Sequence, residues 1–99
     1  MSDMIYTNAE IKDKLEPIFK SYGVKRAILF GSYSKGVATS RSDVDIFVDS
    51  GLRGLEFYGL LEDVTCTLDK EVDLIDACQV KADSRVLDEI NDTGVLIYG

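Results

Sequence analysis

The sequence has no histidine, no tryptophan, a single proline and two cysteines. The missing histidine excludes the most. Without an imidazole the chain cannot build Ser-His-Asp or Cys-His chemistry from its own residues, nor a zinc site that uses histidine. An enzyme built from these residues must rely on carboxylates and a hard metal. Cys66 and Cys78 match a reducing compartment and are expected as buried free thiols. No apolar run approaches the length that spans a bilayer. The opening residues, MSDMIYTNAE, lack the basic and apolar segments of a secretory leader. A cytoplasmic protein without membrane contact is the expectation. Cations are also scarce, 11 Lys and Arg against 18 Asp and Glu, for a net charge of −7. Such a charge repels nucleic-acid backbones, which disfavours direct nucleic-acid binding.

What is present suits one small globular domain. Hydrophobic residues make up 45% and charged residues 29% of the 99 positions, enough for one core over residues 1–99 and not for two. Thr7-x-x-Glu10 is a capping box. Ile11, Leu15, Ile18, Phe19 and Tyr22 follow at helical spacing, and Gly23 is a stop signal. Pro17 falls inside this pattern and should kink or split a helix, yet one helix is the expectation. VKRAILF (24–30) is rich in strand formers. DVDIFVD (43–49) alternates, with Val44, Ile46 and Val48 on one face and Asp43, Asp45 and Phe47 on the other. Residues 55–68 carry a helical stripe of Phe57, Leu61, Val64 and Leu68. EVDLIDA (71–77) predicts a strand, DSRVLDEIND a helix from Asp83 to the stop at Gly94, and VLIY a last strand. The order α-β-α-β-α-β-α-β predicts an α/β (α+β) layer fold, helices packed on a mixed sheet.

Asp43-Val44-Asp45 alone proves little, since a chain with this much aspartate holds such a pair about once by chance. Its setting matters more. Residues two apart on a strand share a face, so the two carboxylates repel across a short gap. A divalent cation removes that penalty, and a pair of Mg²⁺ ions is a common device for phosphoryl or nucleotidyl transfer. Asp73 is the candidate for a third carboxylate. It faces away from Val72 and Leu74 and can share the cleft if its strand lies beside 43–49. Asp76 has the opposite parity and Asp49 lies at the strand exit; both are expected to be ordinary surface or turn residues.

GSYSKG (31–36) follows a strand directly. Gly31 permits a tight turn and close approach of a ligand. Ser32, Lys35 and Gly36 add a hydroxyl, a positive charge and a second flexible point, a plausible cradle for nucleotide phosphates. The spacing is neither that of a P-loop nor that of a Rossmann fingerprint.

Gly31-Ser32, Gly36 and Ser42-Asp43-x-Asp45 before an apolar strand, with Asp73 later in VDLI, resemble the signature of the nucleotidyltransferase superfamily. More narrowly they resemble the minimal nucleotidyltransferase (MNT) domains, small proteins often paired with a HEPN-domain partner. Lys35 stands where many relatives carry Arg, and Ser34 where many carry Ala. The resemblance implies that Asp43, Asp45 and Asp73 bind two Mg²⁺ ions, with Mn²⁺ as a substitute. It implies that Gly31, Ser32, Lys35, Gly36 and Ser42 hold the phosphates of ATP. It further implies transfer of AMP to a tyrosine of a HEPN ribonuclease toxin, with this chain as the antitoxin in a homo- or hetero-oligomer. Tyr33, Phe57, Tyr58 and Tyr98 are the aromatic candidates for contact with that partner, each more commonly core or half-buried. Two rival readings stay open: an antitoxin of the same fold that works by contact alone, and a transferase for RNA or for a small molecule such as an aminoglycoside.

Overall fold

A computed structural model describes residues 6–39, 42–77 and 85–99. Among these residues eight elements alternate as expected: α1 (Asn8–Tyr22), β1 (Arg26–Phe30), α2 (Ser32–Lys35), β2 (Val44–Asp49), α3 (Leu55–Leu68), β3 (Val72–Asp76), α4 (Arg85–Thr93) and β4 (Val95–Tyr98). Cys78 and the expected cap at Asp83 lie outside the described residues. No helix among the described residues is long and apolar enough to cross a membrane.

Both ends of α1 follow from the sequence. The Thr7 hydroxyl accepts from the Glu10 N–H at 3.1 Å, and the Glu10 carboxylate accepts from the Thr7 N–H at 2.9 Å. Gly23 closes the helix in the left-handed region at φ 70°, where a side chain is disfavoured. Pro17 neither breaks nor splits the helix, which runs unbroken from Asn8 to Tyr22. Pro17 is on the exposed side, where the carbonyl that loses its partner can turn to water and a gentle bend is tolerated.

The strand order is β3-β2-β1-β4. β1 pairs antiparallel with β2 and with β4, while β2 and β3 run parallel. Parallel neighbours need a crossover, and α3 supplies it. Ile11, Leu15 and Phe19 of α1 and Phe57, Leu60, Val64 and Leu68 of α3 bury against Ala27, Leu29, Val44, Ile46, Val48 and Leu74. Each fully buried large side chain contributes about 1.5–3 kcal/mol. In α3 the inward stripe uses Leu60 where the spacing suggested Leu61, which is half-buried.

The second face of the sheet carries Phe30 and Phe47, both 5% exposed and outside that core cluster. α4 packs on β1, and Gly94 at its end approaches Ile28, which shares this face with Phe30. The sheet therefore separates a main core under α1 and α3 from a thinner layer under α4.

Two expectations are corrected. Cys66 is exposed, because it falls on the outward side of α3. Asp76 is buried at 2% exposure and accepts a hydrogen bond from the Ser50 hydroxyl. Its parity places it with Leu74 on the main-core face, so it is an interior polar group with a partner.

Candidate active site

Register decides which carboxylates meet. Asp45 lies opposite Phe30 of β1 on one side and opposite Asp73 of β3 on the other. Residues in register on adjacent strands share a face, about 4.8 Å apart between strands. Asp45 and Asp73 thus project from the same face as Phe30 and Phe47. Asp43 stands just before β2, exposed, and its charge reaches Asp45.

Burial pushes the Asp45 carboxyl up from its ordinary 3.8 to about 6, and the charges of Asp73, Asp43 and Glu89 push the same way. Glu89 was not among the residues singled out in the sequence. It is half-buried on α4, and α4 lies over β1. No spacing in the linear sequence relates position 89 to position 45; only the helix packing does. Among the described residues, no group of three Asp, Glu or Cys side chains is drawn tightly enough to cage a metal ion as it stands. The donor set is all oxygen, the chemistry that suits Mg²⁺ and Mn²⁺.

Gly31 joins β1 to α2 and sits against this cluster. Its φ of 75° and ψ of −149° lie where an L side chain is disfavoured. A Cβ built there would overlap a carboxylate oxygen of Asp45. Glycine is therefore required twice, for the turn and for the space. The Ser34 hydroxyl donates to the Gly31 carbonyl at 2.9 Å, and the Lys35 N–H donates to the same oxygen at 3.2 Å. These bonds fix the turn that presents Ser32.

The remaining phosphate candidates separate. Lys35 and Gly36 line a cleft of about 420 Å³ with Tyr6, Thr7, Asn8, Tyr33, Ser34 and Ala38, to which none of Asp43, Asp45 and Asp73 contributes. The Ser42 hydroxyl accepts from the Thr39 N–H at 2.9 Å, and the Ser42 N–H donates to the Thr39 carbonyl at 3.0 Å. Ser42 thereby braces the loop ahead of Asp43. Of the aromatic candidates, Tyr33 and Phe57 are buried, Tyr98 is half-buried and Tyr58 is exposed. Burial pushes the Tyr33 hydroxyl above its ordinary value.

The chain as a whole is similar to several known proteins. A protein of Methanocaldococcus jannaschii that carries the name of a protein adenylyltransferase is 41% identical over 68 residues, 67% of this chain and 73% of its own length. A chain from a toxin–antitoxin crystal structure with AMP-PNP superposes with a TM-score of 0.73 at 28% identity, covering 89% of this chain and 73% of that one. The Shewanella oneidensis complex of a tri-AMPylated HEPN toxin with an MNT antitoxin shares the fold, with a TM-score of 0.67 at 24% identity, over 94% of this chain and 73% of that one. The family model described as Polymerase beta, Nucleotidyltransferase matches residues 13–99, and the chain belongs to that family.

Proposed function

We propose that this chain is a metal-dependent protein adenylyltransferase of the minimal nucleotidyltransferase type. It moves AMP from ATP to a hydroxyl, a tyrosine of a HEPN-type toxin, and acts as the antitoxin of that pair in the cytoplasm. The observation that carries this reading is the register that sets Asp45 beside Asp73 on the face that Gly31 abuts. The name of the M. jannaschii relative and the nucleotide analogue in a structural neighbour point the same way.

The roles follow from position. Asp43, Asp45 and Asp73 are the residues that would hold the divalent cations. Bound there, Mg²⁺ neutralises charge on the triphosphate and on the transferring group. Gly31 and Ser32 bring backbone close to the triphosphate, which a side chain at 31 would keep away. Lys35 and Gly36 line the neighbouring cleft at the end of α2, where Lys35 adds positive charge beside the carboxylate face, and Ser42 braces the residues ahead of Asp43. Asp73, exposed at the strand edge, accepts the proton of the attacking hydroxyl. The hydroxyl oxygen bonds to the α-phosphorus, the bond to the β-phosphate bridge breaks, and pyrophosphate leaves. Alignment and charge neutralisation supply the rate, with no covalent enzyme intermediate.

The test is incubation of the purified chain with ATP, Mg²⁺ and a HEPN-domain toxin protein from the same organism, read by intact-mass spectrometry. An AMP adduct on a partner tyrosine, lost in Asp45→Asn, is expected. Toxin neutralised equally by Asp45→Asn would assign the contact-only role instead.

A further inference from the structure

α3 is amphipathic, yet its outward side is not wholly polar. Leu55 is 88% exposed and Tyr58 65% exposed. They lie three residues apart, with Glu62 four beyond Tyr58, so all three share one helix face. The opposite side of the helix is filled by Phe57, Leu60, Val64 and Leu68. The other exposed large apolar side chains among the described residues, Val37 and Leu96, stand on the loop after α2 and on β4. Leu55 and Tyr58 form a pair on a rigid element, and neither takes part in the core.

The charges around the pair define what can cover it. From residue 50 to 69 the chain carries Glu56, Glu62, Asp63 and Asp69 against a single cation, Arg53. Asp63 is further engaged as acceptor from the Tyr22 hydroxyl at 2.6 Å. A second copy brought face to face would set acidic helix against acidic helix, in a chain whose net charge is −7. A partner with an apolar pocket rimmed by Lys and Arg is complementary on both counts.

The place of this face matters as much as its chemistry. α3 covers the main-core side of the sheet, whereas Asp45 and Asp73 face the other side. α3 also starts where β2 ends, after Asp49, while the carboxylates lie at the opposite end of that strand. The two regions differ in both face and end.

We infer that Leu55 and Tyr58 on the outward face of α3 dock a basic partner protein, separately from the carboxylate face where transfer occurs. This rests on the reading that the chain acts on a HEPN-type partner, and it adds the location and the separability of the hold. A partner seated on α3 leaves the transfer face open, so one partner molecule can be held while another is modified.

The experiment uses this chain and a HEPN-domain toxin protein from the same organism. Affinity is measured by titration calorimetry and AMP transfer by mass spectrometry, for wild type, Leu55→Ser with Tyr58→Ser, and Asp45→Asn. Both α3 side chains are exposed, so the double variant should keep the wild-type melting temperature. The double variant should raise Kd roughly thirtyfold, the scale of a truncated interface anchor, while transfer at saturating partner persists. Asp45→Asn should bind like wild type and transfer nothing. A double variant with Kd within twofold of wild type would overturn the α3 assignment and leave the transferase reading intact. A wild-type dimer in light scattering that the double variant abolishes would overturn it in favour of self-association. Failure of wild type to bind the HEPN-domain protein at all would overturn both.

Discussion

Replacing Asp45 by Asn should stabilise the metal-free protein at neutral pH, although it removes a residue assigned to catalysis. Asp45 is ionised at a cost, because burial and the charges of Asp73, Asp43 and Glu89 hold its proton on, up to about 6 from the ordinary 3.8. The native chain then keeps a proton that the unfolded chain has already released. Stability must fall as pH rises between those two values, and the loss is complete above about 6. The full displacement would be worth at most about 3 kcal/mol. Asp45 is only half-buried, and solvent screening reduces this to about 1 kcal/mol. For a domain of this size that is about 4–8 °C in melting temperature. The assay is thermal unfolding of both proteins in chelator, near pH 7.5 and near pH 4, followed by circular dichroism. Asp45→Asn should melt higher at the upper pH, and the difference should vanish at about pH 4, where the aspartate is protonated in the native state. A variant less stable at neutral pH, or a difference that does not depend on pH, would refute the repulsion argument.

Other substitutions probe neighbouring parts of the account. Saturating Mg²⁺ or Mn²⁺ should raise the wild-type melting temperature, by about 2.7 kcal/mol equivalent at a hundredfold excess over Kd, and should raise that of Asp45→Asn less. Gly31→Ala should cost about 1–3 kcal/mol for a backbone conformation that only glycine adopts freely and abolish transfer, since its Cβ displaces the Asp45 carboxylate; wild-type turnover in this variant would contradict the assigned contact. Ser50→Ala should destabilise by about 1–3 kcal/mol in urea unfolding, because it leaves the buried Asp76 carboxylate without that donor, with transfer unchanged at temperatures where the variant stays folded. Thr7→Ala should cost about 1 kcal/mol by removing the α1 cap, again without effect on transfer.

The elements were legible where periodicity and stop signals coincide. The capping box at Thr7, the stop at Gly23 and the alternation of 43–49 each specify their local structure through nearby residues alone, by side-chain hydrogen bonds, by backbone sterics and by polarity in turn. The parity of Asp73 and Asp76 could be read before the fold was known, because alternation is a property of the strand itself. What parity could not supply was the partner across the sheet: Asp45 meets Asp73 through a parallel pairing made by the α3 crossover. The same limit hid Glu89, which approaches Asp45 through the packing of α4 on β1. Burial was misread at Cys66 and Asp76, since residue type argues for burial of a thiol and exposure of a carboxylate. At Asp76 a serine partner from the loop after β2 makes the buried carboxylate tolerable. The single helix expected across Pro17 holds, because the cost of a lost helical bond depends on whether water can reach the freed carbonyl.

The most direct test compares two aspartates of one strand that point to opposite faces. ATP labelled at the α-phosphate, and separately at the γ-phosphate, is incubated with Mg²⁺, the HEPN-domain protein and wild type, Asp73→Asn or Asp76→Asn. The account predicts label on the partner from the α position alone, lost in Asp73→Asn and retained in Asp76→Asn while the protein is folded. Equal transfer by wild type and Asp73→Asn, or label arriving from the γ position, would contradict it.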